Sequence, residues 1–448
     1  MWSKLKTWVL PSVLLSELSS KITPGLHHYR RERDGQFVRY HLRVENSGQS
    51  LLLVAAAEAV RLTSSGTIAA YGILEGRSDE AILADLTSIP NGAALISEVR
   101  QLIQVLGQPS KRYPVFNLTD ATGEDQPLGL IAPFQADVVL GEWDTLQLCL
   151  HALWNAGIPH VRFLCYSPQP LSEQQTDILC SAIQLAEDIG MIAGARLTAG
   201  QLLHLDSSGS KTVLDRIADL GVDYVVVPWA VSRDLHRRLF GLEDQEQLEK
   251  VIRAADRWEV TCVLEAALTR QSADVFEMEL DRMRSEGIEH VEVFALAQHP
   301  DFAADGQPAE NAQEDFCRPF EHQHLRQIAG WIEDLADDRR IQIIWLPTVS
   351  LRGELNGELT ARLLRLGPRA GADISIRVES DGKVIPPRGP RQSVGTIHRS
   401  PWNEIWSHPC FRRFRQLVSG NERCVECSMM TVCAAFCPAD PQGWAIEE

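Results

Sequence analysis

Cys424, Cys427, Cys433 and Cys437 stand in the spacing C-x2-C-x5-C-x3-C. Thiolates select soft metals, and so short a span lets one loop wrap the ion, which points to an iron–sulfur cluster or zinc. The competing reading is a buried or disulfide-linked cluster. Spacing alone does not choose between iron–sulfur and zinc. Cys410 is a further candidate ligand, although Phe411 and Phe414 beside it fit a packed thiol better. A second set of reactive types lies upstream. Glu265 sits inside the otherwise apolar stretch Cys262 to Leu268, Arg196 near the end of Met191 to Leu197, and Cys165 just after another apolar run. If these runs line a barrel, the three side chains are candidates for its mouth, where catalysis or binding sits. The plainer reading is an Arg196–Glu265 ion pair, and it is preferred because no other residue completes an acid–base constellation. Cys149 and Cys180 fall on apolar helical faces and read as core.

Composition bounds the function. The chain has 448 residues, 44% of them apolar, and a net charge of −17. That length allows about three domains. The negative balance argues against a nucleic-acid surface, since phosphates are repelled. Thiols scattered at Cys149, Cys165, Cys180, Cys262 and Cys317, beside one tight cluster, fit a reducing, cytoplasmic location. Lys4 and Lys6 precede an apolar stretch from Trp8 to Leu15, but Pro11 interrupts it, Glu17 follows, and no small-residue cleavage site appears, so it does not read as a signal peptide. No run reaches the roughly twenty apolar residues of a membrane span.

The elements that must position these residues follow from periodicity. Val38, Tyr40, Leu42 and Val44 share one face of a strand over Gln36 to Val44, and Leu51 to Ala55 forms a second, more buried strand. Ser64 or Ser65 is expected to cap a helix that Gly76 closes; Ser78 and Asn91 begin two more. Strands and short helices in this proportion give residues 1–108 a winged-helix-like character. Three later segments echo one another: Leu153 to Val161, Ile217 to Val225 and Met283 to Val291, each a helix end, a glycine (Gly157, Gly221, Gly287) and an apolar strand. With Ala136 to Leu140, Met191 to Leu197, Val260 to Leu268 and Ile341 to Leu346, they make six or seven βα units. The expected class is α/β, a parallel sheet curled into a partial (βα) TIM-like barrel over 109–350, with a flavodoxin-like sheet as the alternative. Residues 351–448 carry a strand at Ile374 to Val378, a turn at Ser380 to Lys383 into Val384-Ile385, and the small cysteine-rich end.

This order of parts resembles the radical S-adenosylmethionine enzymes with a SPASM domain, which modify peptides. Ser380-Asp-Gly-Lys-Val-Ile-Pro386, Gly395-Thr-Ile397, Pro401-Trp-Asn-Glu-Ile-Trp406 and the four-cysteine loop follow the SPASM pattern in order, and Ala152 to Phe163 resembles part of the family's barrel. Leu51 to Ala57, Arg61-Leu-Thr63 and Ala69 to Gly76 are similar to PqqD-like modules, which hold a leader peptide against a strand edge. The resemblance implies a peptide-recognition domain at 1–108, a barrel at 109–350 and an iron–sulfur domain at 351–448. It also implies a peptide site on Val38, Tyr40, Leu42 and Val44, or on the strand beside them.

The departures are specific. The family's C-x3-C-x2-C loop follows the first barrel strand; here Ala136 to Leu140 runs into Gly141-Glu-Trp-Asp144. Its glycine-rich GGEP segment is replaced by Cys165-Tyr-Ser-Pro168, and Tyr166 stands where close backbone approach needs glycine. Pro387 holds a cysteine's place, and none follows Cys437. The expectation is therefore a degenerate, non-catalytic member with one iron–sulfur cluster of the 4Fe-4S type, or zinc, on Cys424, Cys427, Cys433 and Cys437. S-adenosylmethionine is not expected. The expected partners are an active radical enzyme, a precursor peptide, or both, with no membrane or nucleic acid. The alternatives are an enzyme using rewired chemistry at Arg196, Glu265 and Cys165, or electron transfer through the cluster, and a zinc-stabilised interaction module. Arg412, Arg413, Arg415 and Arg423 would offset a cluster's charge, bind an acidic partner, or simply form a solvated helix face.

Overall fold

The computed structural model describes residues 22–33, 36–54, 58–87, 89–107, 131–165, 167, 169–270, 272–298, 320, 324–345, 349–351, 375–385 and 393–411. It divides into two compact units, residues 1–134 with 153–159, and residues 135–152 with 160–448.

The first unit opens with an antiparallel meander, β1 (Gly25–Arg33), β2 (Gln36–Val44), β3 (Ser50–Val54) and β4 (Glu58–Leu62), paired in that order. Two of these strands, β1 and β4, go beyond those read from the sequence. Three helices follow, α1 (Ser64–Leu74), α2 (Asp79–Asp85) and α3 (Gly92–Leu106). The cap of α1 is Thr63, whose side chain accepts from the Gly66 amide; Ser64 and Ser65 are already inside the helix. Ser78 caps α2 as its spacing predicts, accepting from the Ala81 amide. One sheet face, carrying Val38, Tyr40, Leu42 and Val44, packs with Ile73, Ile82, Ile96, Val99 and Ile103 of the helices. On the other face Arg43 donates to Glu45 and to the Pro133 carbonyl, each at 2.8 Å, and Glu45 accepts from the Ile131 amide at 2.7 Å. All of Arg43 and Glu45 is buried, so this pair fixes the segment after residue 130.

The second unit is built on parallel strands β5 (Gln135–Val139), β6 (His160–Leu164), β7 (Ile192–Arg196), β8 (Tyr224–Trp229), β9 (Thr261–Leu268), β10 (His290–Gln298) and β11 (Gln342–Trp345). They pair in sequence order, and β12 (Val349–Leu351) adds to β10. A doubly wound sheet reverses its order at a switch point; this one does not, so the flavodoxin-like alternative is set aside. The intervening helices are α4 (Trp143–Asn155), α5 (Glu173–Ile189), α6 (Ala199–Leu202), α7 (Val213–Asp219), α8 (Arg233–Phe240), α9 (Leu248–Arg257), α10 (Ala273–Ser285) and α11 (Leu325–Arg339). The echoing glycines do the work their positions imply. Gly157, Gly221 and Gly287 take φ of 92°, 89° and 104°, and the next residue's amide reaches back to Leu153, Ile217 and Met283 carbonyls respectively. That is a left-handed helix stop that any side chain would strain.

At the other end of the sheet, β13 (Ser375–Val378) pairs parallel to β5, and β14 (Val384–Ile385) returns antiparallel to β13. A short helix α12 (Trp402–Trp406) follows Pro401. The two ends of the sheet do not pair with each other among the described residues, so the barrel is open. It is nonetheless strongly curled. Arg162 on β6 bonds Glu292 on β10 with three strands between them, which a flat sheet does not permit.

Candidate functional site

Alternation along each strand decides which side chains enter the curl of the sheet. His160, Arg162 and Leu164 project together from β6, Gly194 and Arg196 from β7, Tyr224, Val226 and Pro228 from β8, and Glu265 and Glu292 from β9 and β10. Arg162 sits opposite Asp137 of β5 in register and donates to it through Nε and Nη2, both at 2.9 Å. Its remaining Nη1 donates to both oxygens of Glu292, at 2.8 and 2.9 Å. Gln135 Nε2 supports Asp137 Oδ1 at 2.7 Å. Nearer the carboxyl ends of the strands, Arg196 holds Glu265 through two bonds of 2.7 and 2.5 Å. Every one of these five charged side chains is at most a few per cent exposed. Guanidiniums matched in fork geometry to carboxylates are the arrangement that tolerates such burial.

Below this layer His160 Nε2 lies 2.5 Å from the Tyr224 hydroxyl. Gly194 makes room for the ring: a Cβ there would stand 2.0 Å from Tyr224 Cζ. His290, first residue of β10, is buried, and that burial pushes its imidazole down to about 4.

The sequence-derived candidates fall out as follows. Arg196 and Glu265 are brought together as an ion pair. Cys165 is buried near them; burial pushes its thiol up to about 12, against the smaller pull of Arg196, so it is a neutral thiol at physiological pH. Cys149 is buried with its thiol raised to about 11 by burial and by Asp381, and lies 3.6 Å from His398 Nδ1. Burial raises the Cys180 thiol as well. Trp229 faces the helix layer, with its ring 5.8 Å from Phe276 of α10; Tyr166 lies outside the described residues. Val38, Tyr40, Leu42 and Val44 are buried in the first unit's core, and β2 is paired on both sides. The strand beside it, β1, carries an outer edge with no strand partner among the described residues, as does β4. Cys410 is half-buried, its amide donating to His408 Nδ1. Cys424, Cys427, Cys433 and Cys437 lie outside the described residues, as do Arg412, Arg413, Arg415 and Arg423. Among the described residues no group of three or more His, Cys, Asp or Glu side chains is placed to hold a metal. No described helix is long and apolar enough to cross a membrane.

Sequence reasoning missed Asp137, Arg162 and Glu292. The signal that marked Glu265, a charge inside a short apolar strand, is present at all three.

The connection from β5 to α4 is Leu140-Gly141-Glu142 alone. A Cβ on Gly141 would stand 2.6 Å from the Ser380 carbonyl oxygen, so the turn after β13 is packed directly on the carboxyl end of β5.

No protein-family model matches the chain, and no curated protein matches it. Solved structures do resemble it. One described as native anSMEcpe with bound AdoMet and Cp18Cys peptide is 13% identical, with 68% of this chain and 89% of that chain covered and a TM-score of 0.40. The same protein with bound AdoMet gives 12% identity, 67% and 89% coverage and a TM-score of 0.41. A hydroxymethylglutaryl-CoA lyase from Pseudomonas aeruginosa gives 14% identity, 56% and 78% coverage and a TM-score of 0.31. These likenesses are loose in both backbone and sequence.

Proposed function

We propose that this chain is a non-catalytic relative of the radical S-adenosylmethionine peptide-modifying enzymes that binds a precursor peptide and serves as carrier or partner for an active enzyme. The observation that carries the reading is the connection after β5. In the family it resembles, a cysteine loop there leaves one iron free to chelate the cofactor; here the connection is Leu140-Gly141-Glu142, has no cysteine, and is packed against Ser380. The interior of the curled sheet is consistent with the same reading: Asp137, Arg162 and Glu292 span it, and Arg196 with Glu265 forms a second pair, so these guanidinium donors are already committed to carboxylates.

The cysteine-rich end has a donor set suited to one cluster. Cys424, Cys427, Cys433 and Cys437 would hold it as four thiolates, and a bound cluster would supply electron storage or a structural staple. Zinc on the same thiolates remains the competing occupant. The peptide-binding role rests on the first unit, where β1 offers backbone donors and acceptors along its outer rim.

Titration calorimetry of the anaerobically prepared full chain tests the reading. S-adenosylmethionine is expected to give no heat of binding, and a precursor peptide from a neighbouring reading frame is expected to bind. Saturable cofactor binding, or indifference to every such peptide, overturns it.

A further inference from the structure

We propose that His28, His41 and Trp154 form an acid-sensitive latch: a proton taken up by His28 frees Trp154, and with it the segment from Leu153 to Pro159, from the outer face of the β1–β2 hairpin. All of these residues belong to the first compact unit. The inference goes beyond the peptide-carrier reading and does not rest on it.

Antiparallel register places His28 of β1 directly opposite His41 of β2, on the face of the meander that also carries Arg43. The two rings stack, with centroids 4.9 Å apart and planes inclined by 28°. The Trp154 indole stands edge-on to both, 5.9 Å from His28 and 6.1 Å from His41. Gly157 keeps the same segment close to this face: a Cβ there would stand 3.3 Å from Ile131 Cδ1 and 3.7 Å from Arg43 Cδ. His41 is fully buried, and Nε2 of His28 is buried without a hydrogen-bond partner among the described residues.

That arrangement suits a neutral imidazole only. A protonated His28 carries two N–H donors, and Nε2 has no acceptor to meet. The nearest charges have the wrong sign: Arg30 stands two residues along β1, and Arg39 lies opposite Arg30 on β2. The carboxylates of this face do not offset them. Glu32 is a further two residues along, about 13 Å from His28 at strand spacing, and Glu45 is held by Arg43. Across the sheet β3 presents Leu53 opposite His41 and Leu51 opposite Arg43. Leu153 to Pro159 contains no ionisable residue. Burial, then Arg39 and Arg30, accordingly push the His28 imidazole down to about 4. Lifting Trp154 away admits water to the ring and restores an ordinary value near 6.5. The open form therefore takes up the proton first, so the latch is held above about pH 6.5 and loosens as pH falls towards about 4.

Hydrogen exchange of the full chain, read by mass spectrometry and corrected for the intrinsic pH dependence of exchange, tests the latch. The amides of Gly157 and Ile158, bonded to the Trp154 and Leu153 carbonyls, report its opening. Their corrected exchange is expected to speed up about twentyfold from about pH 7 to about pH 5, the ratio that values of 6.5 and about 4 require. Helices α2 and α3, on the core side of the sheet, are expected to keep their rates. His28→Asn should remove the acceleration while His290 remains in the barrel. Should that variant not fold, the profile of the unaltered chain decides: a rise beginning below about pH 6.5 bears the latch out, and a rise confined to below about pH 4.5, where carboxylates titrate, overturns it. Corrected exchange independent of pH, an equal rise in α2 and α3, or an unchanged rise in His28→Asn also overturns it. So does slower exchange in acid, which an imidazolium held against the indole would give.

Discussion

Arg162 holds two carboxylates at once, and everything about its burial depends on that. Replacing it with Met removes the cation that the buried Asp137 and Glu292 share, which is expected to cost about 3–5 kcal/mol in denaturant unfolding. Neutralising all three positions together (Arg162→Met, Asp137→Asn, Glu292→Gln) should cost markedly less than Arg162→Met alone; an equal or larger loss contradicts the account of the network. His290 gives a pH prediction. Its folded-state value of about 4 lies below the ordinary 6.5, so the unfolded chain takes up the proton first. Stability is therefore full above about pH 6.5 and falls as pH drops towards about 4, by at most about 3 kcal/mol from this residue. His290→Asn should flatten that slope, and an unchanged slope counts against it. At this scale the sequence was partly legible. A lone charge in an apolar strand flagged Arg196 and Glu265. The same signal at Asp137, Arg162 and Glu292 was lost because a shared interior is defined only once strands from distant parts of the chain are side by side. The cap of α1 shows a finer limit, since Thr63, Ser64 and Ser65 all carry capping hydroxyls and only the backbone decides among them.

Local signals read well for the elements. The three echoing helix stops depend on a few consecutive residues, and each glycine takes the positive φ its place requires. The seven sequential parallel strands follow from the same repeats. The pairing of β13 with β5 was not readable, because it joins segments far apart in the chain and leaves no trace in either one's periodicity. It has a consequence. Without β13 and β14, the outer edge of β5 presents unpaired backbone groups beside an apolar interior. A chain ending at Leu351 is expected to sediment as larger species than the full chain. A truncated chain that stays as dispersed as the full one would show that β5 needs no cover.

Two compact units, a strongly acidic chain and a terminal cluster of thiols set the behaviour of the whole molecule. The metal expectation belongs here. Chain isolated without air should contain iron and acid-labile sulfide in about equal amounts, near four of each, as thiolate ligation of one 4Fe-4S cluster requires. Cys427→Ser should lower both while the far-ultraviolet circular dichroism of the barrel persists. Stoichiometric zinc in place of iron would reassign the site as a structural staple.

Catalytic silence is the claim on which the rest turns. The direct measurement is 5′-deoxyadenosine formation by the anaerobically reconstituted, dithionite-reduced chain supplied with S-adenosylmethionine, with and without peptide. The account predicts none above a preparation lacking the chain. Steady, chain-dependent production would contradict it.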